Sequence, residues 1–216
     1  MTKGIKKRVV CLVDGFNLYH AIKALNKNYL KWLDLRKLAS AFIRPSQETL
    51  SHVYFFTAFP TWLPDSFRRH RAYVDALKEA QVDVVLGRFK KKNGNCNNCN
   101  ARWPNHEEKE SDVNLAIKLL HLAHIDAFDK AIIVTADSDL CPAIDLVTAH
   151  FPNKEIAILV PPNRYHIARE LRDNSRINTY KIKEKHLARS RLPEKFCPHE
   201  YKLTVPQKNA HITDPA

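Results

Sequence analysis

Glycine is scarce in this chain of 216 residues, which contains only Gly4, Gly15, Gly87 and Gly94. A dinucleotide-binding loop needs the pattern G-x-G-x-x-G, and the nucleophile elbow of a serine hydrolase needs G-x-S-x-G. Neither spacing occurs in the sequence. The sequence therefore argues against nicotinamide and flavin cofactors and against serine-hydrolase chemistry.

Long apolar runs are also missing. No stretch approaches the roughly 18 to 20 consecutive apolar residues of a membrane span, and the apolar run after the basic N-terminus ends at Asp14, too early for a signal-peptide core. The five cysteines are an odd and sparse set, which favours a reducing compartment over a disulfide framework. We therefore expect a cytoplasmic protein that makes no contact with a membrane.

Acidic residues are in the minority, because 23 Asp and Glu face 35 Lys and Arg, which gives a formal net charge of +12. Such a charge says nothing about the fold, but it favours nucleic acid as a partner through counterion release. A chain of this length forms one globular domain with a short appendage. We expect the domain to span residues 1–190, with a cysteine-containing insert at about 90–106, and a C-terminal tail at 191–216.

Apolar runs alternate with helical patterns along the chain. Buried strands are predicted at residues 9–13, 52–56, 82–89, 131–134, 156–160 and, as a candidate sixth strand, 177–182. Helical spacing of apolar residues predicts helices at 16–25, 34–42, 64–80, 113–123, 142–149 and 165–171. Residues 90–105, rich in lysine and asparagine, are typical of a loop or insertion. This order predicts a three-layer, Rossmann-like α/β fold with a central, mostly parallel sheet of five or six strands.

Carboxylates follow two of the predicted strands. Asp14 ends the first strand, and Asp137 and Asp139 follow the fourth, at the end of the sheet where α/β proteins bind ligands. Asp112 lies near the start of the helix before the fourth strand, and Glu108, four residues earlier, is expected on the same helix face. Converging acids raise one another's pKa unless a cation neutralises them, and oxygen ligands select Mg²⁺ or Mn²⁺.

Such a site suits phosphodiester hydrolysis, in which a metal lowers the pKa of a bound water and stabilises charge on the phosphate. Asn17, one helical turn into the first helix, is placed to orient a water, and Lys109 is expected near a phosphate oxygen. A phosphatase with Asp14 as covalent nucleophile is disfavoured, because that chemistry commonly pairs it with an acid where this chain has Phe16. Each acid taken alone is also explained as an N-cap or a first-turn acid, but capping does not explain acids at two strand ends together with a third at a helix start.

Three sequence blocks carry a family resemblance: VCLVDGFNLYH at residues 10–20, EEKESDVNLAIKLL at 107–120 and KAIIVTADSDLCPAI at 130–144. In order and spacing they resemble the NYN domain family of the PIN-like nuclease superfamily, in particular its LabA-like branch, over about residues 6–180. The resemblance implies a PIN-like fold and a ribonuclease activity that uses Mg²⁺ or Mn²⁺. Carried onto this chain, it implies catalytic, metal-binding acids at Asp14, Asp112, Asp137 and Asp139, with Asn17 as polar support. A non-catalytic RNA-binding or regulatory module of the same fold is the alternative.

Basic residues near the expected active edge are predicted to hold the RNA backbone. The candidates are Lys90, Lys91, Lys92, Lys109, Arg164 and Arg169. Four aromatic residues are candidates for stacking on unpaired bases, although aromatic side chains more often anchor a core or a loop: Tyr19, Trp62, Trp103 and Tyr165. The expected partner is single-stranded or structured RNA, and the sequence leaves the oligomeric state open.

Cys96 and Cys99 have the spacing of a zinc knuckle within the predicted insert. They supply only half of a tetrahedral site, which His106, or Cys197 together with His199, would have to complete. Two interpretations stay open: a structural Zn²⁺ site separate from the acids, or a pair of reduced thiols.

Overall fold

Strands and helices alternate along the chain. The computed structural model describes residues 5–95, 99 and 102–197. In chain order the elements are β1 (Lys7–Asp14), α1 (Gly15–Lys23), α2 (Leu35–Ser40), β2 (Glu48–Thr57), α3 (Pro64–Glu79), β3 (Asp83–Leu86), β4 (Arg88–Asn95), β5 (Arg102–Lys109), α4 (Ser111–His124), β6 (Lys130–Val134), α5 (Cys141–His150), β7 (Glu155–Val160), α6 (Arg169–Asp173), β8 (Ile177–Lys181) and α7 (Glu184–Arg189). Short 3₁₀ helices lie at Asn28–Lys31, Ser138–Leu140 and Glu194–Phe196.

Six strands form one parallel sheet in the order β3-β2-β1-β6-β7-β8. From β1 the chain moves outward through β2 to β3, and later it returns to the other side of β1 for β6, β7 and β8. The direction of winding therefore reverses between β1 and β6. Such a switch point opens a crevice at the carboxyl ends of the two strands, where open α/β sheets bind ligands. The predicted α/β fold with a central parallel sheet is confirmed.

The core fills both faces of this sheet. Val9, Cys11 and Val13 of β1 pack in one apolar cluster with side chains of α1, α2, α3 and α7. Val10 and Leu12, which alternate with them, pack in a second cluster with α4, α5 and α6. A strand buried on both faces needs apolar residues at every position, which explains the continuous run in β1. None of the helices in the described part of the chain is long and apolar enough to cross a bilayer.

An antiparallel hairpin of β4 and β5 stands outside the main sheet. The prediction of a single strand over 82–89 is wrong, because β3 ends at Leu86 and Gly87 separates it from β4. A Cβ at Gly87 would lie 2.6 Å from the backbone oxygen of Lys109, so the close approach of the two hairpin ends requires glycine. The loop expected at 90–105 is also wrong for the described residues there, which belong to this ribbon apart from Cys99. Most of its side chains are exposed, so the apolar alternation of a half-buried strand is missing.

The segment after α7 packs onto the domain. Arg191 forms an isolated antiparallel bridge with Leu33, and Leu192 and Cys197 are buried in a small cluster with Trp32. The described residues 191–197 of the expected C-terminal tail thus pack against the domain. Residues 198–216 lie outside the described residues. The short helix predicted at 165–171 lies instead at 169–173.

Candidate functional site at the carboxyl edge of the sheet

Asp14 stands at the switch point of the sheet. Asp14 is only 4% exposed. Its Oδ1 caps α1 by accepting a hydrogen bond from the backbone amide of Asn17 at 2.9 Å. Its Oδ2 accepts a hydrogen bond from the hydroxyl of Thr135 at 3.0 Å. Thr135 is adjacent because Val13 and Val134 are paired in the parallel ladder. Two elements from either side of the crevice thus fix one carboxylate.

The charge on Asp14 is poorly compensated by the protein. Burial raises the pKa of Asp14 to about 7, and the charges of Asp112 and Asp137 raise it as well, whereas the hydrogen bonds from Asn17 and Thr135 lower it. At neutral pH the protonated form of this carboxyl is therefore populated. A nearby cation would favour its charged form.

The other predicted acids lie close enough to Asp14 or to Asp112 to raise the pKa of those groups. Asp112 lies in the first turn of α4, where burial raises its pKa, and the charges of Asp137, Glu108 and Asp139 raise it further. Asp14, Asp112 and Asp137 are therefore electrostatically coupled, with Asp139 and Glu108 acting through Asp112. The structure brings these five acids to one edge of the sheet.

Glu108 does not share a helix face with Asp112, so that prediction is wrong. Glu108 belongs to β5, and Glu110 between them has a left-handed backbone with φ of 80° that turns the chain into α4. The Oε1 of Glu108 accepts a hydrogen bond from the amide of Ser111, the first residue of α4, at 3.0 Å. Glu108 thus reaches the acidic edge from the hairpin.

Two of the acids also cap helices. Besides Asp14, Asp137 uses its Oδ1 to accept a hydrogen bond from the amide of Asp139 at 3.0 Å, at the start of the Ser138–Leu140 turn. A carboxylate oxygen has two lone pairs and each carboxylate has two oxygens, so one amide does not exhaust the group. Capping and ligand binding are therefore compatible at these positions.

Asn17 and two residues that the sequence analysis missed shape this edge. The Oδ1 of Asn17 accepts a hydrogen bond from the amide of Ala136 at 3.2 Å and joins α1 to the loop after β6. Thr135 donates to Asp14 and accepts a hydrogen bond from the amide of Asp137 at 3.0 Å. Its signal in the sequence is a hydroxyl residue between an apolar strand and the acids. The hydroxyl of Ser111 is buried and has no hydrogen-bond partner within the described residues.

The acids do not form a ready-made metal cage. Within the described ranges, no group of three or more His, Cys, Asp or Glu side chains has the arrangement of a metal site. The donor set nevertheless fits a hard cation, because it consists of oxygen atoms, carries mutually repelling charges and includes a desolvated carboxylate. Binding an ion would require the side chains to close around it.

The residues predicted to bind zinc are either outside the described residues or in separate parts of the structure. Cys96 and His199 lie outside the described residues, and Cys99 is an exposed free thiol. The ring of His106 stacks on Trp62, with centroids 3.8 Å apart. Cys197 is buried in the apolar cluster after α7. Zinc binding stays a prediction.

The lysines predicted to contact phosphate lie on the hairpin. Lys92 and Lys109 both pair with Glu107, at 3.1 and 2.8 Å, so their charge is partly compensated. Lys90 and Lys91 are exposed on β4. The hairpin therefore presents a basic strand beside the acidic edge.

The two predicted arginines lie beyond β7. Arg169 is exposed on α6 and pairs with Asp173 at 3.3 Å. Arg164 lies close enough to α1 for its charge to contribute to the lowered pKa of His20, after burial and Lys23. Of the two, Arg164 is therefore the one that the structure relates directly to α1.

Comparison with known proteins identifies a family and proteins that resemble this chain in sequence or in fold. The sequence profile of the NYN domain matches residues 8–182. A 6-hydroxy-3-succinoylpyridine 3-monooxygenase of Pseudomonas putida is 29% identical over 185 residues, which cover 69% of this chain and 58% of that protein. The crystal structure of a protein of unknown function from Vibrio parahaemolyticus matches with a TM-score of 0.57 and 16% identity, over 85% of this chain and 98% of that one. The last match bears on the fold alone.

Proposed function

This chain belongs to the NYN domain family, and from that premise we propose that it is a divalent-metal-dependent ribonuclease of the LabA-like branch. The observation that carries the proposal is the state of Asp14. Asp14 is a buried carboxylate at the topological switch point of the sheet. Burial, and then the negative charges of Asp112 and Asp137, raise its pKa to about 7. Helix capping alone does not require carboxylates that lie close enough to raise one another's pKa.

The acids have complementary roles in this proposal. Asp14, Asp112, Asp137 and Asp139 would hold Mg²⁺ or Mn²⁺, which when bound lowers the pKa of a water and offsets charge on the phosphate. Thr135 and the amide of Asn17 hold Asp14 in one orientation through the hydrogen bonds at 3.0 and 2.9 Å. The hydrolysed bond is the phosphodiester P–O bond: water adds to phosphorus, and the sugar oxygen leaves with a proton.

The substrate class follows from charge and family. NYN domains are associated with nucleic acid, and a net charge of +12 favours a polyanion through counterion release. Arg164 near α1 and the exposed Lys90 and Lys91 of the hairpin are the proposed contacts to the RNA backbone on either side of the acids. The proposed setting is the cytoplasm.

A cleavage assay with matched variants tests the proposal. Purified protein is incubated with single-stranded and structured RNA in Mn²⁺, Mg²⁺ or EDTA. The Asp14→Asn and Asp137→Asn variants should lose cleavage and keep RNA binding. Asp34→Asn is the control, because Asp34 also N-caps a helix through its side chain, at α2, and does not act on the pKa of Asp14. Equal cleavage by the Asp14 and Asp34 variants would reject the assignment.

A second function, RNA binding without turnover, is favoured by one observation: among the described residues the acids are not arranged as ready-made ligands. Under this function no metal supports cleavage, and the Asp14→Asn variant binds RNA at least as well as the wild type. Cleavage that depends on Mn²⁺ and on Asp14 would exclude it.

The activity named for the Pseudomonas putida relative is not carried over. This chain spans only 58% of that protein, and a monooxygenation needs a reductant and an oxygen-activating group. The dinucleotide-binding pattern that would supply one common reductant site is missing from this sequence.

A further inference from the structure

A cavity of about 680 Å³ opens beside the acidic edge, between α1, α3 and the hairpin. Gly15 and Phe16, which directly follow Asp14, line it, and so does Glu108, whose charge acts on Asp112. Its volume lies within the range of about 300 to 1,000 Å³ that is typical of small-ligand sites. A ligand group in this cavity would therefore lie next to a phosphate bound at the acids.

Aromatic rings form much of the cavity wall. Phe16 and Phe89 meet edge to face with centroids 5.5 Å apart, and Trp62 meets Phe89 in the same way at 4.6 Å. The ring of His106, which lines the cavity, is held parallel to Trp62 with an interplanar angle of 6°. Phe16, Phe89 and His106 line the cavity, whereas Trp62 is not a lining residue and supports Phe89 and His106 by its contacts with them. The lining rings are of the kind on which a planar ring can stack.

The polar groups of the cavity favour an uncharged ring with an anionic neighbour. His70 faces it with a ring whose pKa burial lowers to about 4, so this side chain is neutral at neutral pH. Lys31 lies at the cavity with its Nζ 5.5 Å from the ring centre of Tyr19. Burial lowers the pKa of Lys31, and the charges of Lys23 and Arg69 lower it too. Lys31 and Arg69 line the cavity together with Glu107 and Glu108, and the ammonium group of Lys31 attracts an anion such as phosphate.

We propose that this cavity binds the unpaired base of the nucleotide next to the phosphate held at the acidic edge, with the following phosphate at Lys31. The inference rests on the proposed ribonuclease function, because that function places the strand at the acids. It assigns the substrate class as single-stranded RNA, since a base paired in a duplex cannot leave its stack without an energetic cost. Phe89 is the ring expected to carry most of the base-dependent affinity, because it contacts both Phe16 and Trp62.

The test measures binding rather than cleavage. The full chain carrying Asp14→Asn, which is expected not to cleave, is titrated in Mn²⁺ with a short single-stranded RNA and with the same strand carrying one abasic ribose, by fluorescence anisotropy. Moving the abasic position along the strand should reveal one position where affinity falls about 5- to 150-fold, the range for one stacked base. A duplex of the same sequence should bind more weakly than the single strand. No position-dependent loss would overturn the proposal.

A variant cycle locates the base in the cavity. In the Asp14→Asn background, Phe89→Leu keeps an apolar side chain but removes the ring, and it should reduce the abasic penalty towards onefold. The control is Tyr180→Leu, because Tyr180 is an aromatic residue of β8 that is 42% exposed and does not line the cavity. This variant should leave the penalty unchanged. Equal penalties in the Phe89 and Tyr180 variants would overturn the assignment to this cavity.

The two proposals fail separately. A protein that shows the Phe89-dependent abasic penalty but never cleaves RNA contradicts the ribonuclease function and keeps the base site. A protein that cleaves in an Asp14-dependent way but binds intact and abasic strands equally contradicts the base site alone. Circular dichroism of each variant verifies that the fold is retained.

Discussion

Asp14 should control how the stability of the metal-free protein depends on pH. Its pKa is about 7 in the folded protein, raised by burial and then by the charges of Asp112 and Asp137 from an ordinary value of 3.8. Between these two values the folded state binds more protons than the unfolded state. Stability is therefore lost as pH rises from about 4 to about 7, and it levels off above that. A pKa difference of about 3 corresponds to a penalty of about 4 kcal/mol at pH 8.

The Asp14→Asn variant removes this titration and leaves the surroundings similar. The amide oxygen can accept one of the two hydrogen bonds that Asp14 accepts, and the loss of the other costs about 1 kcal/mol at any pH. At pH 5 the wild type already bears the first part of its penalty. Between pH 5 and pH 8 the free energy of unfolding of the variant should therefore rise relative to the wild type by about 2 to 3 kcal/mol.

The measurement is urea denaturation followed by tryptophan fluorescence, in EDTA, at intervals between pH 5 and pH 8.5. Other groups titrate in this range, but they are common to both proteins and cancel in the difference. Asp34→Asn is the control, since Asp34 caps α2 through the same kind of amide contact, at 3.0 Å. Its difference from the wild type should stay flat. A flat difference for Asp14→Asn as well would refute the view that Asp14 is a buried, poorly compensated carboxylate.

Three further predictions follow from the same contacts. At pH 8, Mn²⁺ should raise the Tm of the wild type, because the ion offsets the charge on Asp14. It should raise the Tm of Asp14→Asn much less. Equal shifts in a thermal scan would argue against binding at this carboxylate. The Lys130→Met variant should lose about 3 to 5 kcal/mol of unfolding free energy, because it leaves the carboxylate of Glu48 buried without the ammonium group that lies 2.9 Å away. Adding Glu48→Gln should recover much of this loss in a double-mutant denaturation cycle. No recovery would contradict the pairing. Burial lowers the pKa of His70 to about 4, so between pH 6.5 and pH 5 the unfolded state takes up a proton that the folded state does not. The wild type should therefore lose about 2 kcal/mol of stability as pH falls through this range, and His70→Gln should lack this loss. Identical pH profiles would show that the ring is not buried as described.

The central strands and their order are the part of the fold most open to prediction from sequence. β1 is buried on both faces, so alternate residues such as Val9 and Val10 fill different cores, and only an unbroken apolar run satisfies both. The acids at the ends of β1 and β6 follow from the same reasoning, because parallel strands end at one edge. That these two strands are neighbours depends on the crossover connections, and the pairing of Val13 with Val134 has no local signal in the sequence.

The hairpin and the support of Asp14 were beyond sequence reasoning for physical reasons. β4 and β5 are stabilised by their backbone ladder and by exposed ion pairs around Glu107, which leave no apolar period. The spacing of Glu108 and Asp112 fits a helical turn and so predicts one helix for both, whereas the left-handed Glu110 separates β5 from α4. The role of Thr135 depends on which strand lies beside β1, so it emerges only from the tertiary structure.

The capping hydrogen bonds of Asp14 and Asp137 explain how an acidic edge can exist in a stable fold. The crevice at the switch point brings together the starts of α1 and of the turn after β6, whose amides carry partial positive charge and donate to the two carboxylates. These caps orient the acids without neutralising them. If amide donors were sufficient, the pKa of Asp14 would lie at or below 3.8 rather than near 7, to which burial and then the charges of Asp112 and Asp137 raise it. Under the proposed function, a divalent cation would offset the repulsion that remains among these carboxylates, because hard cations prefer oxygen ligands.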